Sequence, residues 1–192
     1  MTAAPETDLV SRAAQRDPDA TAALLAQVRP GLVRYCRARL GRVGGAYTTA
    51  DDVAQEVCLA VLRALPRYRD QGRPFSAFVY GVAAHKVADA QRAAIRDSAV
   101  TAASALPDEP DAAPGPEQRA VATDLARRLS ALLARLPEVQ REIILLRVAV
   151  GLTADEVGAI VGMSAAAVRV AQSRGLTRLR ALAGSALDEV AA

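Results

Sequence analysis

Between Asp97 and Gln118 the chain reads DSAVTAASALPDEPDAAPGPEQ, with four prolines, five acids and no base. Proline removes backbone donors and fixes φ, and so little large apolar surface cannot offset the entropy of ordering, so this stretch reads as a linker. It divides the 192 residues into two bodies, 1–96 and 119–192, each of a size that must build its core economically. The composition says how: 52% of residues are hydrophobic but only 3% aromatic. Ala, Leu, Val and Arg dominate and no long run alternates β-branched with polar residues, which favours helices over sheet. The expected fold class is all-α, two small helical domains joined by a flexible acidic Pro/Ala-rich linker.

Several function classes are disfavoured by what the chain lacks. Cys36 and Cys58 are its only cysteines and His85 its only histidine, too few for a structural zinc site of the usual kind. Both cysteines sit in apolar helical patterns and read as small buried hydrophobes. No glycine-rich phosphate loop or nucleophile turn is present. The expectation is no catalytic residue, no cofactor, no metal and no enzyme. No apolar run approaches the ~20 residues that span a bilayer, and Met1 to Val10 carries Glu6 and Asp8 without a basic start, unlike a signal peptide. The expected location is the cytoplasm, without membrane insertion.

Charge is distributed more unevenly than the net +3 suggests: residues 1–96 sum to +5, residues 97–118 to −5 and residues 119–192 to +3. Two basic bodies flanking an acidic strap suit a polyanionic partner.

In the first body, Asp17-Pro18 reads as an N-cap with proline at the first helical position, ahead of Leu24, Leu25, Val28, Leu32, Val33, Cys36 and Leu40 at helical spacing. Pro30 is expected to kink this helix. Gly41 to Tyr47 is a glycine-bearing loop, and Thr49 with Asp52 resembles a capping box for a helix to about Leu65, ended by Pro66. After the polar loop Arg67 to Pro74, the series Phe75, Phe78, Val79, Val82, Ala83, Val87 gives a helix to about Arg96. The second body reads as four helices, about 117–135, 138–150, 154–161 and 165–182, with Pro137 closing one and opening the next.

Thr153 to Glu156 is a T-x-x-E capping box; Val157, Ala159, Ile160 and Val161 fill about two turns; Gly162 makes a turn and Ser164 can cap the next helix. This is the grammar of a helix-turn-helix. Val168, Gly175, Leu179 and Leu182 then face inward, leaving Arg169, Val170, Ser173, Arg174 and Thr177 outward. Ser164 to Ala183 holds four arginines and no acid. A helix entering the major groove needs small side chains, arginines for guanine edges and phosphates, and no carboxylates. In the first body, Asp52, Gln55, Glu56, Leu59 and Arg63 line one face of a helix whose other face is Val53, Val57, Val61 and Ala64; alone, that polar face would equally suit solvent.

Residues 48–92, TTADDVAQEVCLAVLRALPRYRDQGRPFSAFVYGVAAHKVADAQR, resemble the polymerase-binding and promoter-melting domain of extracytoplasmic function (ECF) sigma factors, and residues 136–180, LPEVQREIILLRVAVGLTADEVGAIVGMSAAAVRVAQSRGLTRLR, resemble their promoter-binding helix-turn-helix domain. VCLA, PRYRD, GRPF, AAHKVADA and AVRVAQ look like the actinobacterial sigma factor D type. The resemblance implies sigma factor domain 2 over 1–96, a linker over 97–118 and sigma factor domain 4 over 119–192. It implies a dissociable initiation subunit that binds core RNA polymerase at the clamp of the beta-prime subunit, recognises a two-part promoter and helps melt it. An anti-sigma factor is a further candidate partner.

Carried over residue by residue, the clamp-docking face falls on Asp51, Asp52, Gln55 and Glu56. The minus-thirty-five contacts fall on Arg169, Val170, Ser173 and Arg174; Val170 and Ala171 stand where the family commonly has serine and arginine, so the upstream preference and one phosphate contact should differ. The minus-ten reader falls on the loop with Tyr68, Arg69 and Arg73 and on the helix with His85, Lys86 and Asp89. Phe75, Phe78 and Tyr80 read as packing residues and Tyr68 as the better base contact. The linker's family counterpart threads the polymerase's basic channels, where acids would be attracted; a neutral tether is the other reading. The rival for the whole chain is a stand-alone helix-turn-helix regulator, which would need a dimer surface or a sensing domain that the sequence does not display.

Overall fold

Helix formation starts earlier than the Asp17 cap. The computed structural model describes residues 3–40, 49–101 and 128–191, and its first element is α1 (Ala3–Ala14), which buries Val10 and Ala13. The chain turns at Arg16, whose φ of 67° lies in the left-handed region. Asp17 then caps α2 (Pro18–Leu40): its Oδ1 accepts from the amides of Asp19 and Ala20 at 3.0 and 3.1 Å, and its Oδ2 receives the Arg12 guanidinium at 2.7 Å. These bonds, led by that from the Ala20 amide, hold the Asp17 carboxyl below its ordinary range. The kink expected at Pro30 does not interrupt α2, which is helical on both sides of it. Pro30 itself is exposed.

The capping box at Thr49 forms as expected, and α3 (Ala50–Ala64) ends in a 3₁₀ turn, Leu65–Arg67, that contains Pro66. Helix α4 (Phe75–Thr101) overruns its expected end near Arg96. Five residues read as linker, 97–101, are therefore helical; the chain meets no proline until Pro107, and Asp and Ser are weak helix formers rather than breakers. The glycine-bearing loop 41–47, the remainder of the linker and the beginning of the expected 117–135 helix lie outside the described residues.

The second body opens with α5, helical over 128–134. Pro137 precedes α6 (Glu138–Ile144), whose last turns, Leu145–Val150, widen into π-helix and close on Gly151 at φ 94°. Then come α7 (Ala154–Val161) and α8 (Ala165–Ala191), the latter continuing past the expected 182. No strand occurs among the described residues.

The apolar stripes read from the sequence become cores. Leu24, Leu32, Tyr35 and Cys36 of α2 meet Val53, Val57 and Val61 of α3 and Val79, Ala83 and Val87 of α4, all buried. In the second body Leu133, Leu136, Ile144 and Leu145 pack with Leu176 and Leu179. The bodies also touch: the π segment lies on α2 and α7 lies on α4, so Ile143, Leu146, Val157 and Val168 join the first body's buried cluster.

Candidate nucleic-acid and polymerase interfaces

The helix-turn-helix is pinned at each corner. Thr153 Oγ1 accepts from the Glu156 amide at 3.2 Å, while Glu156 Oε2 accepts from the Thr153 amide and hydroxyl at 2.8 and 2.7 Å, satisfying α7's first donors. Gly162, at φ 72°, ends α7 in the left-handed region, and the Met163 amide returns to the Gly158 carbonyl at 2.9 Å. Ser164 Oγ accepts from the Ala167 amide at 3.2 Å and starts α8. Fully buried Val168 seats α8, and Arg147 on the π segment donates to Gln172 Oε1 at 3.1 Å.

That seating turns Arg169, Val170, Ser173, Arg174 and Thr177 toward solvent, with Val170 51% exposed at the centre. Among the described residues no acid pairs with Arg169 or Arg174. The result is a cationic face with a small, partly apolar centre, the chemistry required to approach a duplex edge.

On α3 the expected docking residues have unequal freedom. Asp51 receives both arms of Arg37, at 2.9 and 2.7 Å. Asp52 is the third residue of the capping box; it accepts from the Thr49 amide and hydroxyl at 2.8 and 2.9 Å, which holds its carboxyl below the ordinary range. Gln55 is exposed, Leu59 is 44% exposed, and Glu56 pairs with Lys86 Nζ at 3.1 Å. That ion pair ties the expected docking helix to the expected minus-ten helix.

The minus-ten candidates are dispersed. Tyr68 is half-buried, its ring 5.4 Å edge-on from Phe75 and 5.1 Å from Phe78, so it shares the aromatic packing expected of its neighbours. Tyr80 is buried and lies edge-on to Tyr35. The loop is shaped by Gly72 at φ 73°, whose amide donates to Asp70 Oδ1 at 2.8 Å. Arg69 donates to the Tyr68 carbonyl at 3.2 Å, and Arg73 reaches across to the Ala159 carbonyl of α7. His85 is exposed, and its Nδ1 donates to the Gly81 carbonyl at 2.8 Å. Asp89 pairs with Arg92. Cys36 is buried and its thiol is pushed up to about 12 by burial; Cys58 is shifted in the same direction. Burial therefore favours the neutral thiol at both. No group of His, Cys, Asp and Glu suited to a metal occurs among the described residues.

Sequence reasoning missed Gly158. A Cβ there would stand 2.4 Å from the Met163 carbonyl oxygen, so the absent side chain lets α7 and the turn approach. The only hint was a glycine inside a helical pattern, which without the fold is just a weak helix former.

The Sigma-70 region 2 family matches residues 24–96 and the Sigma-70 region 4 family residues 126–179. The chain is 57% identical over 178 residues to the ECF RNA polymerase sigma factor ShbA of Streptomyces griseus, covering 91% of this chain and 93% of that protein. It is 56% identical over 172 residues to the ECF RNA polymerase sigma factor SigD of Mycobacterium tuberculosis, covering 90% and 81%. A solved structure of CnrH in complex with the cytosolic domain of CnrY superposes with a TM-score of 0.66 at 25% identity, covering 92% of this chain and 96% of that one. Two sigma domains in order, a capped helix-turn-helix with a cationic face, and identity above one half across nearly the whole length have one meaning: the chain belongs to the ECF RNA polymerase sigma factors.

Proposed function

We propose that this chain binds core RNA polymerase through its first body, reads and melts the minus-ten element with the same body, and reads the minus-thirty-five element with α8. The observation that carries the reading is the one-signed, outward face of α8 on a fully capped helix-turn-helix, in a chain whose family directs initiation. Residues 1–96 act as domain 2, 97–118 as the linker and 119–192 as domain 4. The chain works in the cytoplasm, without catalysis of its own; no described helix is long and apolar enough to cross a membrane.

On α3 the docking contact is assigned to Gln55 and Glu56, with Leu59 as an apolar centre and Asp51 and Asp52 as supporting carboxylates already engaged within the chain. Arg169 and Arg174 supply upstream contacts, with Val170 and Ser173 between them. Tyr68, Arg69, Arg73, His85, Lys86 and Asp89 form the minus-ten set, in which His85 is exposed for contact with a flipped base. CnrH was solved with the cytosolic domain of CnrY, and we extend to this chain a protein partner of the same regulatory kind, an anti-sigma factor.

The test is capture of core RNA polymerase by the pure protein, followed by transcription from a promoter selected with the assembled holoenzyme. A protein that binds upstream DNA but neither captures core nor supports transcription is the stand-alone regulator, and the proposal fails.

A further inference from the structure

Where α1 and α2 meet the end of α3, the surface opens into a groove of about 620 Å³, within the range of ligand clefts. Its walls are aliphatic: Leu25 of α2, Leu62 of α3, and Leu65 and Pro66 of the 3₁₀ turn. By spacing Leu25 belongs to the apolar stripe of α2, yet it is only half-buried, as is Leu62, and neither packs into the first body's core. Leucines on adjacent helices thus keep apolar surface turned to one open groove, as an interaction site would. None of the residues assigned to polymerase or DNA lines it.

Arg16 and Arg63 stand in the same lining, both exposed, and no carboxylate accompanies them. Among the described residues neither pairs with an acid, in contrast to Arg12, whose guanidinium is held by Asp17. Arg16 also occupies a position where glycine is usual. It closes α1 at φ 67°, its amide donating to the Ala13 carbonyl at 3.0 Å and the Asp17 amide donating to the Arg12 carbonyl at 3.1 Å. This is the left-handed helix cap that a Cβ disfavours. Arg16 is the one non-glycine residue in that region among those described, so the chain carries a long cationic side chain at the groove where its backbone disfavours one.

Aliphatic walls with unpaired guanidiniums select an occupant that is apolar and acidic at once. Nucleic acid fits poorly: no aromatic ring lines the groove to stack a base, and leucines cannot satisfy phosphates. We propose that this groove docks an acidic amphipathic helix of a partner protein, with large aliphatic side chains seated between Leu25 and Leu62 and carboxylates on Arg16 and Arg63. Helices recognised in this way present anchors at i, i+3 or i+4, and i+7 along one face. An open-sided groove between helices receives such a rod, whereas a small molecule is bound by enclosure.

Selection of random displayed peptides on the full chain tests it, with peptides of about 11 residues, enough for three helical turns. Selected sequences should combine Asp or Glu with Leu, Ile or Met at helical spacing, and their binding should weaken as salt rises. Arg16→Gly together with Arg63→Gln should lower the affinity of the best peptide about tenfold, because two rim ion pairs are lost. Glycine suits φ 67° better than arginine does, and Arg63 is exposed on its helix, so this variant should melt no lower than wild type. Leu25→Gln should weaken the same peptide through the apolar wall. Selected peptides without acids, or an affinity unchanged in the folded double variant, overturn the acidic-helix assignment. A short single-stranded oligonucleotide that displaces the peptide, and itself loses affinity in the same variant, makes the groove a nucleic-acid site and overturns it as well.

Discussion

Gly158→Ala separates fold geometry from local propensity within the helix-turn-helix. On propensity alone the change stabilises, since alanine in a helix interior is favoured over glycine by ~1 kcal/mol. The structure predicts the opposite. The new Cβ would sit 2.4 Å from the Met163 carbonyl oxygen and 3.6 Å from the Ala165 amide, and no side-chain rotation relieves a contact with backbone. The turn cannot drift away cheaply: Gly162 fixes it at φ 72°, the Met163 amide is bonded to Gly158 itself, and Ser164 caps α8. Overpacking costs roughly 1–3 kcal/mol where neighbours can adjust; a backbone obstacle sits at the upper end, so the net loss is about 2 kcal/mol after the helical gain. Gly175→Ala is the matched control. Its Cβ meets the Ile144 Cδ1 methyl at 2.7 Å, the far end of a side chain that can turn, so its loss should be within about 1 kcal/mol. Urea unfolding of both variants and their affinity for an upstream duplex measure the difference. A Gly158→Ala protein as stable as Gly175→Ala, with unchanged DNA affinity, would refute the close-approach argument.

The assigned faces make three further outcomes measurable. Glu56→Arg should weaken capture of core polymerase strongly at unchanged helical content, whereas Asp52→Arg should lose stability as well, because it removes half of a capping box; equal core affinity for Glu56→Arg and wild type removes α3 from the docking surface. Arg169→Ala should relax upstream base preference by ~1–3 kcal/mol if it reads a guanine edge, and Arg174→Ala should instead flatten the salt dependence, both read from binding isotherms at several salt concentrations; identical isotherms would mean α8 does not face DNA. His85→Ala should slow open-complex formation on duplex promoters while sparing binding to pre-melted forks, and Tyr68→Phe, which keeps the ring on Phe75 and Phe78, isolates the hydroxyl; permanganate reactivity equal to wild type in both places the minus-ten reader elsewhere.

The legible parts of this chain are those whose signals are local. Thr49 with Asp52 and Thr153 with Glu156 announce two helix starts, and Gly162 with Ser164 the turn between helices, because each cap is settled within four residues. The inward stripe Val168, Gly175 and Leu179 follows from helical period. Helix α1 escapes such reading because its apolar set, Leu9, Val10, Ala13 and Ala14, is short. Helix α4 outruns its expected end because Asp97 and Ser98 look like linker residues although neither stops a helix already running. The occupation of Asp51 by Arg37 has no local signal at all: such pairings depend on where elements lie, not on neighbours in sequence. The same is true of the bond between Tyr35 and Glu142, separated by 107 positions.

The seam between the two bodies is part apolar and part polar. Fully buried Val57, Val79 and Val87 of the first body share one apolar cluster with Ile143, Leu146, Val157 and Val168 of the second. Separating those would expose apolar surface at ~25 cal/mol per Å², with no compensation from water. The directional contacts between the bodies are made by Arg34, Tyr35, Arg39, Arg73 and Ser76 to carboxylates and carbonyls. Each of these groups regains hydrogen bonds from water when the interface opens, so breaking them is far less costly than breaking a core. The buried apolar part of the seam therefore carries most of the cost of parting the two bodies, and the polar part gives their contact its direction.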